Sequence, residues 1–374
     1  MNSSTTRTAL VVGGGIAGLT HAVALARAGH DVEVVEISAG HMIAGWGLSL
    51  TAPSLRALDG LGLADSCIAE GYGVQQIANC DAEGVVRNTI DLPSLLGKGR
   101  PAQVGLARPA LHRVLRDAAL DAGAEIRTES TVTAIDEEPD RSVVTLSDGR
   151  VRVVDVVVGA DGIRSGTRSL LGIPGEPRFT GQMVWRALVP RPEWATMLHT
   201  FAGARHGAGV VPISEEQAYV FVTENDAPSD ALPEDTLAST MRELLSPFGG
   251  RVAELRETIT EPAGIVRRPV QVVLVDGPWH AGRSVLIGDA AHAPSPQLVS
   301  GAALAIEDAV VLAAELGAEP VVEKALAGFG HRRLERCRLV VDTSVRIGEL
   351  ERAGRHAEVY PLQERAHRAL AAPA

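Results

Sequence analysis

Three glycines in the pattern Gly13-x-Gly15-x-x-Gly18 constrain this chain more than any other feature, because of what flanks them. Residues 8–12 are a short β-branched and apolar run. Residues 16–28 carry apolar side chains at helical spacing and stop at Gly29, and residues 32–36 form a second apolar run. Strand, glycine turn, helix and strand make a βαβ unit, which calls for a parallel sheet. In that setting the glycines permit a tight turn, close approach of backbone to a pyrophosphate, and close packing of helix on strand. The phosphate rests on unpaired N–H groups at the helix N-terminus, beginning at Ile16 and Ala17. Glu36 closes the second strand, where a carboxylate accepts hydrogen bonds from ribose hydroxyls and repels a 2′-phosphate. FAD or NAD suits such a site better than NADP. The alternative is a glycine-rich turn without a ligand.

Composition narrows the rest. A chain of 374 residues has room for two or three folding units. With 45% hydrophobic but only 3% aromatic residues, its cores must be built from Ala, Val and Leu. A formal charge of −11 without a Lys/Arg block argues against nucleic acid or an acidic membrane surface as a partner. Cys67, Cys80 and Cys337 form no CxxC, so neither a zinc site nor a disulfide framework is indicated, and reduced thiols in the cytoplasm are expected. Glycines interrupt the apolar run at 8–28, and no small-residue cleavage site precedes Asp31. No uninterrupted run of about 18 apolar residues predicts a membrane span.

Further along, short helices are expected at 54–62 and 109–122, and strands at 125–127, 131–135, 143–146 and 151–158, with Asp148-Gly149 as a hairpin turn. Residues 179–190, 208–211 and 217–223 read as strands and 232–245 as a helix, a mixed sheet inserted into the nucleotide-binding part. Residues 284–287 return to a buried-strand pattern, and 301–316 and 327–350 are helical. The predicted fold class is α/β: a Rossmann-like FAD-binding domain with an inserted mixed β-sheet substrate domain and C-terminal helices. The expected boundaries are 1–70, 100–178 and 267–345 for the first, 71–99 and 179–266 for the second, and 346–374 for a helical tail.

Two more motifs follow buried strands. Gly159-Ala160-Asp161-Gly162, with Ser165 and Arg168, reads equally as a strand-to-turn exit. Gly288-Asp289-Ala290-Ala291-His292 is followed by Gly301-Ala302 and Glu307-Asp308-Ala309. There Asp289 reads as a helix N-cap, and His292 as a structural histidine, since nothing stands at metal-ligand spacing around it.

In this order, over residues 8–350, the three motifs resemble those of the class A flavoprotein monooxygenases, the para-hydroxybenzoate and salicylate hydroxylase group. The resemblance implies an FAD-dependent enzyme that takes hydride from NADH or NADPH and uses O2 to hydroxylate an aromatic or polycyclic phenol through a flavin C4a-hydroperoxide. It implies an ADP site at Gly13, Gly15, Ile16, Ala17, Gly18 and Glu36, and a ribityl-phosphate contact at Arg108. It also implies an adenine contact at Val132, a carboxylate tied to both nucleotides at Asp161, a ribityl contact at Asp289, and backbone donors toward the flavin ring at Gly301 and Ala302. No metal is expected, since no ligand cluster is visible in the sequence, and the chain is expected to be a monomer or homodimer. Met42, Val299 and Ala303 depart from the residues common in this group.

A substrate pocket is expected between flavin and inserted sheet, with Leu50, Trp185, Phe201, Val210, Pro212, Pro294 and Pro296 as lining candidates. Trp185 and Phe201 read equally as core. His199 and His206 read as surface residues or as aids to phenol deprotonation. Two rivals to a monooxygenase remain open: a flavin-linked reductase or dehydrogenase, and a flavin-binding redox-responsive protein with little turnover. A halogenase is disfavoured, because Lys occurs only at 98 and 324 and no Trp-rich signature is present.

Overall fold

A computed structural model describes residues 6–39, 47–226 and 230–374. Met42 lies outside these residues. The chain builds an α/β layer around a six-stranded sheet and a second, eight-stranded sheet beside it.

In the first sheet, Thr8–Val12 sits between Asp31–Val35 and Val156–Gly159, and all three run parallel. Ser284–Leu286 extends the parallel set on one side and Glu125–Arg127 on the other. Side chains alternate between its faces. Ala9, Val11, Val34, Val156 and Val158 enter the main core under helices Ile16–Arg27, Arg108–Asp121 and Gly301–Ala318. Leu10, Val12, Val35 and Val157 pack against Val132, Val144 and Leu146 of a three-stranded antiparallel sheet. Both faces are covered, which is why these strands read as unbroken apolar runs.

The run 151–158, expected as one strand, is two. Val151–Val154 belongs to the antiparallel hairpin and Val156–Gly159 to the parallel sheet. The break is at Asp155, whose carboxylate accepts from both Thr8 N–H (2.7 Å) and Thr8 Oγ1 (3.0 Å).

The second sheet runs in the order 292–293, 265–274, 178–190, 217–225, 207–212, 198–202, 76–81, 86–91. One of its faces, carrying Trp185, Ala187, Phe201, Val210, Val220 and Val222, packs on helices Leu237–Leu245 and Gly250–Thr258 through Met241, Leu245, Phe248 and Val252. The other face turns toward the nucleotide-binding layer, where Tyr219, Val211 and Leu198 gather beside Ala107. Contact there is close: a Cβ on Gly105 would lie 2.1 Å from the Pro212 carbonyl oxygen. No helix among the described residues is long and apolar enough to cross a membrane.

Candidate FAD site

The glycines of the first motif answer to different constraints. Gly13 has φ +107°, and a Cβ there would stand 2.5 Å from the Ala160 carbonyl oxygen, so the first and second motifs are back to back. A Cβ on Gly18 would lie 2.0 Å from Gly13 O, which sets the packing of helix on strand. A Cβ on Gly15 would meet nothing within 4 Å. Gly13 and Gly18 are therefore explained by the protein itself, while Gly15 faces open space at the N-terminus of helix Ile16–Arg27, where an anion is favoured. Glu36 stands beside this loop: Oε2 accepts from Gly14 N–H at 2.8 Å and Oε1 from Ser38 N–H at 2.9 Å. His112 also braces the loop, with Nε2 2.9 Å from Gly14 O. It follows Arg108 at i, i+4 on one helix face, a spacing visible in the sequence that we did not assign.

In the second motif Asp161 organises its own turn. It accepts from Ser165 Oγ, from Thr167 N–H (2.9 Å) and from Thr167 Oγ1 (2.9 Å). Ser165 Oγ in turn accepts Arg168 N–H at 2.9 Å, which starts the helix Gly166–Leu170. Arg168, buried, donates to Ala290 O (2.8 Å) and Ile163 O (3.0 Å), and so ties the second motif to the third.

The third motif hangs on Asp308. Its Oδ2 accepts Gly288 N–H at 2.9 Å and meets His292 Nε2 at 2.5 Å, while Oδ1 accepts Arg333 Nε at 2.7 Å. Arg333 also meets Glu307, which is paired to Arg336. His292, Asp308 and Arg333 are all buried. The Asp308 carboxylate lifts the His292 pKa well above 6.5, overcoming the opposite effect of burial, while burial that would raise the Asp308 carboxyl is outweighed by His292 and Arg333. Sequence spacing placed no possible metal ligand near His292, yet the fold brings Asp308 and Cys337 to it. Both oxygens of Asp308 are already engaged with Gly288, His292 and Arg333. Gly288, at φ +60°, packs between Ala17 and Ala305, so the third motif also touches the helix of the first.

These loops bring several expected residues together. Asp289 is solvent-exposed yet deeply surrounded by protein, which raises its pKa, while His292 and Arg108 pull it down. Arg108 begins helix Arg108–Asp121 on the same side. Gly301 and Ala302 open helix Gly301–Ala318, and a Cβ on Gly301 would meet only Pro294, at 3.6 Å. Val299 keeps a left-handed backbone, φ +52°, with its side chain partly exposed. Val132 is set apart in the satellite core.

The expected pocket residues separate. Trp185, Phe201 and Val210 are buried on the helix-covered face of the eight-stranded sheet, so they are core and do not line a cleft; Trp185 Nε1 donates to Glu224 at 2.8 Å. His199 is likewise buried, stacked on Phe201 and edge-on to Trp194, rather than on the surface. His206 closes the turn at Gly203, which donates to its carbonyl at 3.1 Å. Leu50 and Pro212 are buried at the contact of strand Gly47–Leu50 and the sheet, and only Pro294 and Pro296 keep exposure, beside Gly301. Period-two alternation from Trp185 identifies the residue on the opposite face, Arg186, which we did not single out. Its guanidinium is close enough to Tyr219 and Arg108 for both to influence it.

The site fits FAD: an open phosphate cradle at Gly15, a carboxylate at the end of the second strand, an accessible but enclosed Asp289, and a helix N-terminus at Gly301. A family model described as FAD binding domain matches residues 6–344. The aurachin C monooxygenase/isomerase of Stigmatella aurantiaca is 33% identical over 351 residues, covering 92% of this chain and 89% of that protein. The 3-hydroxybenzoate 6-hydroxylase 1 of Aquipseudomonas alcaligenes is 31% identical over 346 residues, covering 87% and 85%. The structure is similar to that of Klebsiella pneumoniae HpxO complexed with FAD and uric acid, with TM-score 0.83, 25% identity, and 99% and 95% of the two chains covered. Convergent motif geometry and full-length similarity give one answer: the chain belongs to the FAD-dependent monooxygenases of the aromatic-hydroxylase type, the class A flavoprotein hydroxylases.

Proposed function

We propose that this enzyme uses NADH or NADPH and O2 to hydroxylate a phenolic aromatic substrate held between the flavin and the face of the eight-stranded sheet that turns toward the nucleotide-binding layer. Bound FAD supplies hydride acceptance and oxygen activation. The chain supplies the cradle: Gly13–Gly18 and Glu36 for the ADP half, Arg108 and Asp289 for the ribityl-phosphate half, and the N–H groups of Gly301 and Ala302 for the ring edge.

One observation carries the substrate reading. Arg186 and Tyr219 lie close enough to each other, and to Arg108 on the nucleotide-binding layer, to feel one another's charge and that of Arg108. Arg186 is half-buried beside Phe221, its partner in the register of the two strands. Two cations, a phenol and an aromatic ring at one place favour a flat substrate that carries or develops negative oxygen. The 3-hydroxybenzoate 6-hydroxylase 1 named above takes its name from a substrate of this kind, which supports the reading.

The experiment is an aerobic screen of phenolic and heteroaromatic compounds, following NADH and NADPH loss, H2O2 and product mass. A product heavier by one oxygen, formed with stimulated NAD(P)H loss, is expected. Substrate reduction or dehydrogenation without added oxygen would replace this reading with a flavin-linked reductase or dehydrogenase. NAD(P)H-independent binding without turnover would point to a redox-responsive binder.

A further inference from the structure

A ladder of side-chain amides crosses the junction of strand Arg178–Pro190, the turn Pro296–Leu298 and helix Val322–Arg352. The Asn225 amide donates to Arg205 O. Asn225 Oδ1 accepts from Gln182 Nε2 at 2.8 Å, and Gln182 Oε1 accepts from Gln297 Nε2 at 3.0 Å. Gln297 also hydrogen-bonds Glu351. A carbonyl can only accept, so Arg205 O orients the whole row: every NH2 points down the ladder, and the second N–H of Gln297 is left for Glu351. Gln182 is buried, and Gln297 Oε1 has no protein partner among the described residues. The long helix reaches the ladder only because residue 348 is glycine. A Cβ there would lie 2.9 Å from Gln182 Oε1 and 3.1 Å from Gln297 Nε2.

Directly after Gln297 and Leu298 comes Val299, a β-branched residue in the left-handed region. Such a conformation persists only where its surroundings over-determine it. Local bonds help: Val299 N–H donates to Pro296 O at 2.9 Å, and Ser300 Oγ to Leu298 O at 2.7 Å. Those bonds stay within the turn and cannot anchor it to the rest of the protein. The ladder is attached to the substrate sheet at one end and the long helix at the other.

We infer that Gln297 and Glu351 are positioning residues: through the amide ladder they clamp the turn, hold Val299 left-handed and thereby aim the N-terminus of the helix that starts at Gly301. The aim at a flavin rests on the function proposed above; the clamp rests on the ladder alone. Burial pushes the Glu351 carboxyl up to about 7, so glutamine is a close mimic of its neutral form.

The test is a double-mutant cycle on the full chain: Gln297→Leu, Val299→Gly and the pair, read as thermal midpoint without FAD and as the visible spectrum of bound FAD. Gln297→Leu should lower the midpoint and shift the flavin bands. Both effects should shrink by at least half in the Val299→Gly background, where no strained backbone needs holding. Equal effects in the two backgrounds would overturn the clamp. Glu351→Gln should leave both readouts unchanged, whereas Glu351→Leu should repeat Gln297→Leu; equal damage from the two Glu351 variants would also overturn it. This pair decides the matter if Gln297→Leu does not fold. Failure to bind FAD would count against the cofactor reading alone, since the midpoint cycle needs no flavin.

Discussion

The Arg168 guanidinium donates to the Ala290 carbonyl at 2.8 Å, joining loops that lie 122 residues apart. It also holds Ile163 O, and it is almost fully buried. Replacing it with alanine leaves the buried Ala290 carbonyl and the partly buried Ile163 carbonyl unpaired, a loss of about 2–3 kcal/mol. Arg168→Ala should therefore lower the unfolding free energy by that amount and weaken FAD binding at least tenfold in a fluorescence titration. Arg168→Lys should recover less than half of either loss, because one ammonium cannot span both carbonyls. Full recovery by lysine would mean that charge, not the forked geometry, ties the loops.

The glycines of the first motif separate folding from binding. Gly13→Ala and Gly18→Ala place a Cβ 2.5 and 2.0 Å from backbone oxygens, so both should fail to give a stable protein. Gly15→Ala meets nothing and should keep the unfolding free energy of the FAD-free protein within about 0.5 kcal/mol of wild type. Its FAD affinity should fall tenfold or more, because the added methyl occupies the pyrophosphate approach. A Gly15→Ala protein with unchanged FAD affinity would move the phosphate elsewhere.

The pair His292 and Asp308 predicts a pH profile. The His292 pKa is raised above 6.5 in the folded chain, so its contribution is complete below 6.5 and is lost as pH rises through the folded value. The Asp308 pKa is lowered, so its contribution is present above the ordinary 3.8 and is lost on acidification. Between about pH 4 and 6.5 both act in full. His292→Gln should flatten the alkaline limb of the stability profile. Asp308→Ala, which leaves Arg333 with Glu307 as its one carboxylate partner, Gly288 N–H without its acceptor and His292 forced neutral by burial, should cost about 3–5 kcal/mol at pH 6. Chemical denaturation from pH 4 to 9 measures both, and an alkaline limb unchanged in His292→Gln would assign it to another group.

Much of this was legible in the residues. Thr8–Val12 and Val156–Gly159 announce buried parallel strands because both their faces are covered, so burial leaves no alternation to obscure the run. The Gly13, Asp161 and Asp289 loops announce themselves because tight turns after buried strands need small or polar residues. What could not be read is what depends on side-chain direction or long-range closure. Asp308 meets His292 from the following helix, and Arg333 from the one after, at separations that leave no local pattern. Trp185 and Phe201 read equally as pocket lining and as core; the helices at 237–258 cover their face, and only that packing decides which way an amphipathic strand turns. The division of 151–158 at Asp155 was hidden because both halves are equally apolar, and the anchor to Thr8 is 147 residues away.

The attachment of Gly288 to Asp308, and of Asp308 to Arg333, has a consequence for the order in which this protein is made. The glycine loop at 13–18 is made well before the segment at 288–292 that packs against its helix, and that segment, although Arg168 already holds Ala290 O, lacks the carboxylate that accepts Gly288 N–H until residues 308 and 333 have followed. Until then the wall of the proposed nucleotide cleft that faces the glycine loop is held only in part. A fragment ending before Arg333 would carry every glycine of the first motif and still lack the buried charge that holds the opposite wall in place.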